Sequence, residues 1–137
     1  MANIIGTNSN NTLNGTASAD TIIVRAGNDT VNGSGGNDRL NGGLGTDVLN
    51  GGTGIDTADY SNLVISGTTY IDATAGVAVN LGLTGAQNTG GAGSDTLTSI
   101  ENVTGTNFAD RLTGNSANNV LSGLAGNDTL IGGGDND

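Results

Sequence analysis

Apolar residues recur in this chain at intervals of nine, each between two mostly polar neighbours: Leu13, Ile22, Val31, Leu40, Leu49 and Ala58. A triplet with one apolar centre is too short for an amphipathic helix and suits a short strand. Its middle residue faces inward and its neighbours outward. Six residues rich in Gly and Asn separate the triplets and turn the chain, because both types tolerate positive φ. From Gly6 the sequence divides without a gap into GTNSNNTLN (6–14), GTASADTII (15–23), VRAGNDTVN (24–32), GSGGNDRLN (33–41), GGLGTDVLN (42–50) and GGTGIDTAD (51–59). The phase returns in GGAGSDTLT (90–98), GTNFADRLT (105–113), GNSANNVLS (114–122), GLAGNDTLI (123–131) and GGGDND (132–137). The shared pattern is G-G-x-G-x-D-x-U-x, with U apolar.

Two strand–turn units make a coil of eighteen residues, and coils stack at roughly 4.8 Å, the spacing of paired strands. This register predicts Leu13, Val31 and Leu49 on one inner wall and Ile22, Leu40 and Ala58 on the other. Thr12, Thr30 and Val48 then point outward, with Asn14, Asn32 and Asn50. Residues 60–89 carry no repeat. There VISGTTYID (64–72) reads as a strand pair and GVAVNL (76–81) alternates like a strand; both are expected to continue or flank the solenoid.

Composition makes the fold conditional. Among 137 residues there are 26 Gly and only 2% aromatics. Thirteen acids against three Lys or Arg give a net charge of -10. So thin an apolar content does not offset the entropy of ordering this much glycine, so either the chain is disordered or something neutralises its acids. All but one of the acids are Asp, whose short side chain holds an ion close to the main chain. No Cys or His is present, which excludes disulfides and the usual zinc ligands. The N-terminus shows no signal peptide and no stretch is long enough to span a membrane. The acidity argues against nucleic acid as a partner.

The tandem blocks resemble the RTX, or haemolysin-type, calcium-binding repeat family; GGLGTDVLN matches at every fixed position. The middle segments DTADYSN, GVAVNL and GGAGSDTLTSIENVTGTNFADRLTG are similar to the blocks that separate RTX arrays in secreted bacterial proteins. The resemblance implies an all-β, right-handed parallel β-roll with a first array at 1–59, a β-rich linker at 60–104 and a second array at 105–137 that ends mid-repeat.

The residues themselves supply a reason for calcium. In the eighteen-residue register Asp29 lies over Asp47, and Asp20, Asp38 and Asp56 form a second file. Carboxylates roughly 5 Å apart repel strongly when partly buried, and a divalent ion between them reverses the sign. Glycine turns add carbonyls toward the six to eight oxygens that Ca²⁺ accepts, whereas Mg²⁺ demands stricter geometry and softer metals want His or Cys. In the family, one turn gives its second and fourth carbonyls and its Asp, and the turn eighteen residues later gives its first and third carbonyls and its Asp. Carried onto this chain, the resemblance implies a site from Ser34, Gly36, Asp38, Gly51, Thr53 and Asp56. A second uses Arg25, Gly27, Asp29, Gly42, Leu44 and Asp47. A third uses Thr16, Ser18, Asp20, Gly33, Gly35 and Asp38. In the second array one site uses Thr106, Phe108, Asp110, Gly123, Ala125 and Asp128.

Departures from the pattern mark weaker places. Asn11 and Asn119 replace the Asp, so the pairs Asn11/Asp29 and Asn119/Asp137 are expected to bind weakly. Val24 and Arg25 replace the opening glycines, and Ser18, Phe108 and Ala117 replace the fourth. Arg25, Arg39 and Arg111 are read as solvated cations rather than anion ligands. Tyr60, Tyr70 and Phe108 are read as packing or capping residues. Asp59, Asp72 and Glu101, without His, Lys or Cys beside them, are not read as catalytic.

The functional expectation is a non-enzymatic, calcium-folded module of a protein secreted by the type I route. It works outside the cell or at its surface, with several Ca²⁺ ions as its cofactor. The alternatives are a self-assembling matrix, surface-layer, adhesin or filament subunit whose partner is another copy end to end, and an accessory module of a secreted protease, lipase or alginate epimerase.

Overall fold

The computed structural model describes residues 1–70 and 73–134. The first block of strands comprises β1 (Asn3–Ile5), β2 (Thr12–Asn14), β3 (Thr21–Ile23), β4 (Ala26–Gly27), β5 (Thr30–Asn32), β6 (Arg39–Asn41), β7 (Leu44–Gly45), β8 (Val48–Asn50) and β9 (Thr57–Asp59). The middle contributes β10 (Leu63–Ile65), β11 (Thr68–Tyr70), β12 (Ala78–Asn80), β13 (Gln87–Asn88) and β14 (Ser94–Thr98). The chain then runs through β15 (Asn102–Thr104), β16 (Arg111–Thr113), β17 (Leu121–Ser122) and β18 (Thr129–Ile131). Among the described residues there is no helix.

The chain is an all-β solenoid with two parallel walls. One wall runs β1-β3-β6-β9-β15-β17, the other β2-β5-β8-β14. The register is the one the nonapeptide predicts: Leu13 pairs with Val31 and Val31 with Leu49, while Ile22 pairs with Leu40 and Leu40 with Ala58. Each ladder then crosses a gap in sequence, because Leu97 lies on Leu49 and Val103 on Ala58. The walls share one apolar core that takes in Ile22, Val31, Leu40, Leu49, Val79, Leu97, Val103 and Leu112.

The middle segment both continues and flanks the solenoid. β12, β13 and β14 form a meander: β14 lies parallel on β8 and β12 parallel on β16, with antiparallel β13 between them. Gln87 fastens the meander by accepting from Asn80 N (2.7 Å) and donating to Asn80 O (3.1 Å). VISGTTYID contributes to the antiparallel hairpin β10–β11, with Ile71 and Asp72 outside the described residues. The hairpin covers an outer face, so Ile23, at an outward repeat position, is fully buried beneath Leu63 and Tyr70.

Two readings of single residues change. Arg39 is not simply solvated: its guanidinium pairs with the buried Asp59 carboxylate, which also accepts from Ser61 N (2.8 Å) and Ser61 Oγ (2.6 Å). Arg25 stacks over Tyr70, 5.1 Å from the ring centroid, where the hairpin reaches the turn. Tyr60 and Tyr70 are buried, whereas Phe108 is 48% exposed.

Leu40 is fully buried at the centre of its ladder, whereas Val48 points out at 41% exposure. Leu40→Ala is expected to destabilise the folded chain by about 2–5 kcal/mol and Val48→Ala by less than about 0.5 kcal/mol. Chemical denaturation under conditions where the wild type is folded measures both. Equal losses would contradict the inward and outward assignment.

Candidate metal centre

Each coil passes through two six-residue turns, one at each edge of the solenoid, and the sixth residue of a turn carries the acid. The coils are tied through these acids. Asp20 N donates to Asp38 Oδ1 (2.8 Å) and Asp38 N to Asp56 Oδ1 (2.7 Å). At the other edge Asp29 N donates to Asp47 Oδ1 (2.8 Å), and in the second array Asp110 N donates to Asp128 Oδ1 (2.9 Å). One oxygen of each carboxylate thus fastens the preceding coil.

The second oxygen is the anomaly. Oδ2 of Asp29, Asp38, Asp47 and Asp56 is buried and has no hydrogen-bond partner. A buried carboxylate oxygen left unpaired is expensive. The oxygens of Asp38, Asp47 and Asp56 lie where a Cβ on the first turn residue, a glycine, would fall; the turn of Asp29 opens on Val24 instead. A Cβ at Gly33 would fall on Asp38 Oδ2 and on the Gly51 carbonyl oxygen; one at Gly42 would meet Asp47 Oδ2. The second and fourth carbonyls point to the following coil: Ser34 O and Gly36 O lie against Gly52 and Gly54, and Arg25 O and Gly27 O against Gly43 and Gly45.

Apart from the turn 90–95, the described turns of the repeats come in two kinds. Where the fourth residue is Gly27, Gly36, Gly45, Gly54 or Gly126, the second residue is left-handed: Arg25, Ser34, Gly43, Gly52 and Leu124 have φ between 62° and 101°. Where the fourth residue is Ser9, Ser18, Phe108 or Ala117, the second residue turns its N–H onto the acid or amide of the sixth. Thr16 N and Oγ1 donate to Asp20 Oδ2 (2.7 and 2.8 Å). Thr106 N donates to Asp110 Oδ2 (2.7 Å) and its Oγ1 to Oδ1 (2.9 Å). Thr7 N and Asn115 N do the same for Asn11 and Asn119 (2.6 and 2.7 Å). A closed turn satisfies its own carboxylate; at Asp29, Asp38, Asp47 and Asp56 the open turn leaves one oxygen free.

Of the expected ligand sets, Ser34/Gly36/Asp38/Gly51/Thr53/Asp56 and Arg25/Gly27/Asp29/Gly42/Leu44/Asp47 are the two whose carboxylates keep a free oxygen, with Gly51 O beside Asp38 Oδ2 in the first. Their carbonyls also accept along the stack, Thr53 O from Gly36 N (2.9 Å) and Arg25 O from Leu44 N (2.6 Å), and a carbonyl keeps a second lone pair. In the set with Thr16, Ser18 and Asp20, Gly33 O lies beside Asp20 Oδ2, but that oxygen already holds Thr16. In the set with Thr106, Phe108, Asp110, Gly123, Ala125 and Asp128, Asp110 is likewise satisfied, its Oδ1 also by Val77 N (2.8 Å). Asp137 lies outside the described residues.

Burial and charge set the acidity of the files. Asp47 is pushed up to about 7, first by burial and then by Asp95 and Asp29. Burial also raises Asp29 and Asp95, and raises Asp38 with help from the Asp56 and Asp20 charges. Asp20 moves the other way, held down by the Thr16 N–H. Two further acids join the files. Asp95 accepts from Asp47 N (3.1 Å) on Oδ1 and from Tyr60 OH and Thr89 Oγ1 (both 3.1 Å) on Oδ2. Glu101 accepts from Asp56 N (2.8 Å). The block GGAGSDTLT marks Asp95 as a sixth-position acid; nothing in the repeat marks Glu101.

A family model for the RTX calcium-binding nonapeptide repeat matches residues 5–40, 25–58 and 104–137, more than half of the chain. The chain belongs to the RTX calcium-binding nonapeptide repeat family. A comparison with curated proteins found no match. The RTX repeats here form a β-roll, a calcium-binding repeat module. The donors fit the ion: they are oxygens, with no His or Cys in the sequence, and orphan carboxylates face glycine-made cradles. Among the described residues no three acidic side chains gather at one point. Carbonyls must therefore complete each shell, which suits Ca²⁺.

In metal-free solution the raised carboxylates bind protons more tightly in the folded chain than in the unfolded one. Folded stability is therefore expected to fall as pH rises from about 4 towards the value near 7 of Asp47. With saturating Ca²⁺ the bound carboxylates favour the ionised form, and the trend reverses. Thermal melts by circular dichroism at pH 4.5 and 7.5, with and without Ca²⁺, test this. A metal-free chain more stable at pH 7.5 would contradict it.

Proposed function

We propose that the chain is an extracellular module that Ca²⁺ folds, carried in a protein exported by the type I route and acting as a structural element rather than a catalyst. The observation that carries this reading is the row of buried, unpartnered Oδ2 atoms on Asp29, Asp38, Asp47 and Asp56. Without a cation these charges oppose the stack; with one they hold it, so binding and folding become one equilibrium. A cytosol poor in Ca²⁺ would keep such a chain unfolded for export, and the medium outside would fold it. A structural role is supported at Asp59, held by Arg39 and Ser61, and at Glu101, engaged by Asp56 N. Among the described residues no helix is long and apolar enough to cross a membrane.

In this reading the ions sit first between the turns 24–29 and 42–47 and between 33–38 and 51–56. The sets containing Thr16 and Thr106 are filled later, because their closed turns must open. Far-UV circular dichroism during a Ca²⁺ titration is expected to show coil turning to β structure with a midpoint of about 10⁻⁴–10⁻³ M. A full β spectrum in excess chelator, unchanged by Ca²⁺, would refute Ca²⁺-driven folding.

Asp38→Ala is expected to raise the midpoint more than Asp110→Ala. Asp38 has a free oxygen and stands between Asp20 and Asp56, whereas Asp110 is satisfied by Thr106 and Val77. Equal shifts would show that open and closed turns bind alike.

A further inference from the structure

The repeat pattern breaks after Asp59, yet the file of acids at that edge does not. In tandem coils the amide of one Asp donates to the carboxylate eighteen residues later, as Asp38 N does to Asp56 (2.7 Å). Asp56 N makes the equivalent bond, at 2.8 Å, with Glu101, forty-five residues away. Asp56 O in turn accepts from Glu101 N (3.1 Å) and Asn102 N (2.9 Å). Glu101, the chain's one glutamate, thus stands where the next repeat would place an aspartate.

A carbonyl is matched as well. Gly33 O lies against the missing Cβ of Gly15 beside Asp20 Oδ2, and Gly51 O against that of Gly33 beside Asp38 Oδ2. The Oδ2 of each Asp is therefore grouped with the first carbonyl of the turn eighteen residues later. At Gly51 the same position is met by Ser99 O and Asp56 Oδ2. Ser99 is one of the few non-glycine residues with positive φ, 51°, a conformation that bends the chain through the short segment 99–101. Asp56 is fully buried and its Oδ2 has no partner. The turn 51–56 is of the open kind, with Gly52 at φ 101° and Gly54 at φ 144°.

We propose that Asp56, Glu101 and the Ser99 carbonyl form a Ca²⁺ site at the junction between the first array and the segment that follows it, completed by the Gly52 and Gly54 carbonyls. The opposite edge shows the contrast. There Asp95 takes the stacked position, but its second oxygen is held by Tyr60 and Thr89, and the atoms nearest to a Cβ at Gly42 all belong to Asp47. At that edge the stacked acid is satisfied by protein hydrogen bonds, although Asp47 Oδ2 has no partner. At the Glu101 edge the Ser99 carbonyl joins the unpartnered Asp56 Oδ2, a buried charge that a cation answers. An ion there ties β9 to β15 across a forty-five-residue excursion, so the walls before and after it order together.

The proposal rests on Ca²⁺ binding by the repeats, and its test separates the two. Glu101→Gln keeps an acceptor for Asp56 N and removes one charge. Calorimetric titration of the full chain with Ca²⁺ is expected to show one ion fewer than wild type, or one site weakened by about tenfold or more as its charge count drops, with the other sites unchanged. Wild-type stoichiometry and affinity in this variant would overturn the junction site while leaving the repeats as binders. A wild-type chain that takes up no Ca²⁺ would overturn both. Should the glutamine variant fail to fold, Glu101→Asp keeps the charge and shortens the arm. Weakening of a single site then supports the assignment, and an unaltered titration rejects it.

Discussion

The stacking of like charges governs this structure. Each coil is fastened to the next through the carboxylate that, by charge, repels its neighbour. One oxygen accepts the backbone N–H of the coil before it, and the other is buried without a partner at four positions. The core that opposes this repulsion is a pair of ladders of single apolar residues with few aromatics. Hydrophobic burial alone is a weak opponent for several ionised aspartates in a low-dielectric edge. A cation between the stacked acids would remove the conflict where it arises, which is the ground for the proposal that metal uptake and folding are coupled.

Glycine placement follows from the same constraint. First-position glycines leave room for a carboxylate oxygen, and second- and fourth-position glycines leave room for the carbonyls of the coil beneath. Outside the turn 90–95, the fourth glycine also accompanies the left-handed second residue, and so separates the turns that leave an oxygen free from those that satisfy it internally. A serine, phenylalanine or alanine in that place makes a self-contained turn. The array is therefore graded along its length, and the grading is set by local backbone conformation rather than by the number of aspartates.

The segment between the arrays solves a geometric problem. A solenoid interrupted in sequence must continue both walls or expose strand edges. Here one wall passes directly from β9 to β15, while the other accepts a three-stranded meander with Gln87 bonding to Asn80. Tyr60 and Asp95 lie at this seam. Burial and the adjoining acid push the Tyr60 hydroxyl well above its ordinary range, so it stays a proton donor to Asp95.

The nonapeptide by itself determined the strand triplets, the eighteen-residue register, both inner ladders and the two files of aspartates, because each depends only on spacing and on which residue types tolerate a turn. It also marked the hairpin and the strand at GVAVNL through local alternation. It did not determine what a carboxylate's second oxygen touches. Ser18 marks the Asp20 turn as a departure from the repeat, but spacing does not reveal that Thr16 satisfies Asp20 Oδ2 while Asp38 Oδ2 has no partner. Nor did it place Glu101 under Asp56, Asp95 under Asp47, or Ile23 beneath Tyr70. Those neighbours are 45 to 48 residues apart, or lie outside the repeat's period. Only the path of the chain through the middle segment brings them together, and no local spacing rule encodes that path.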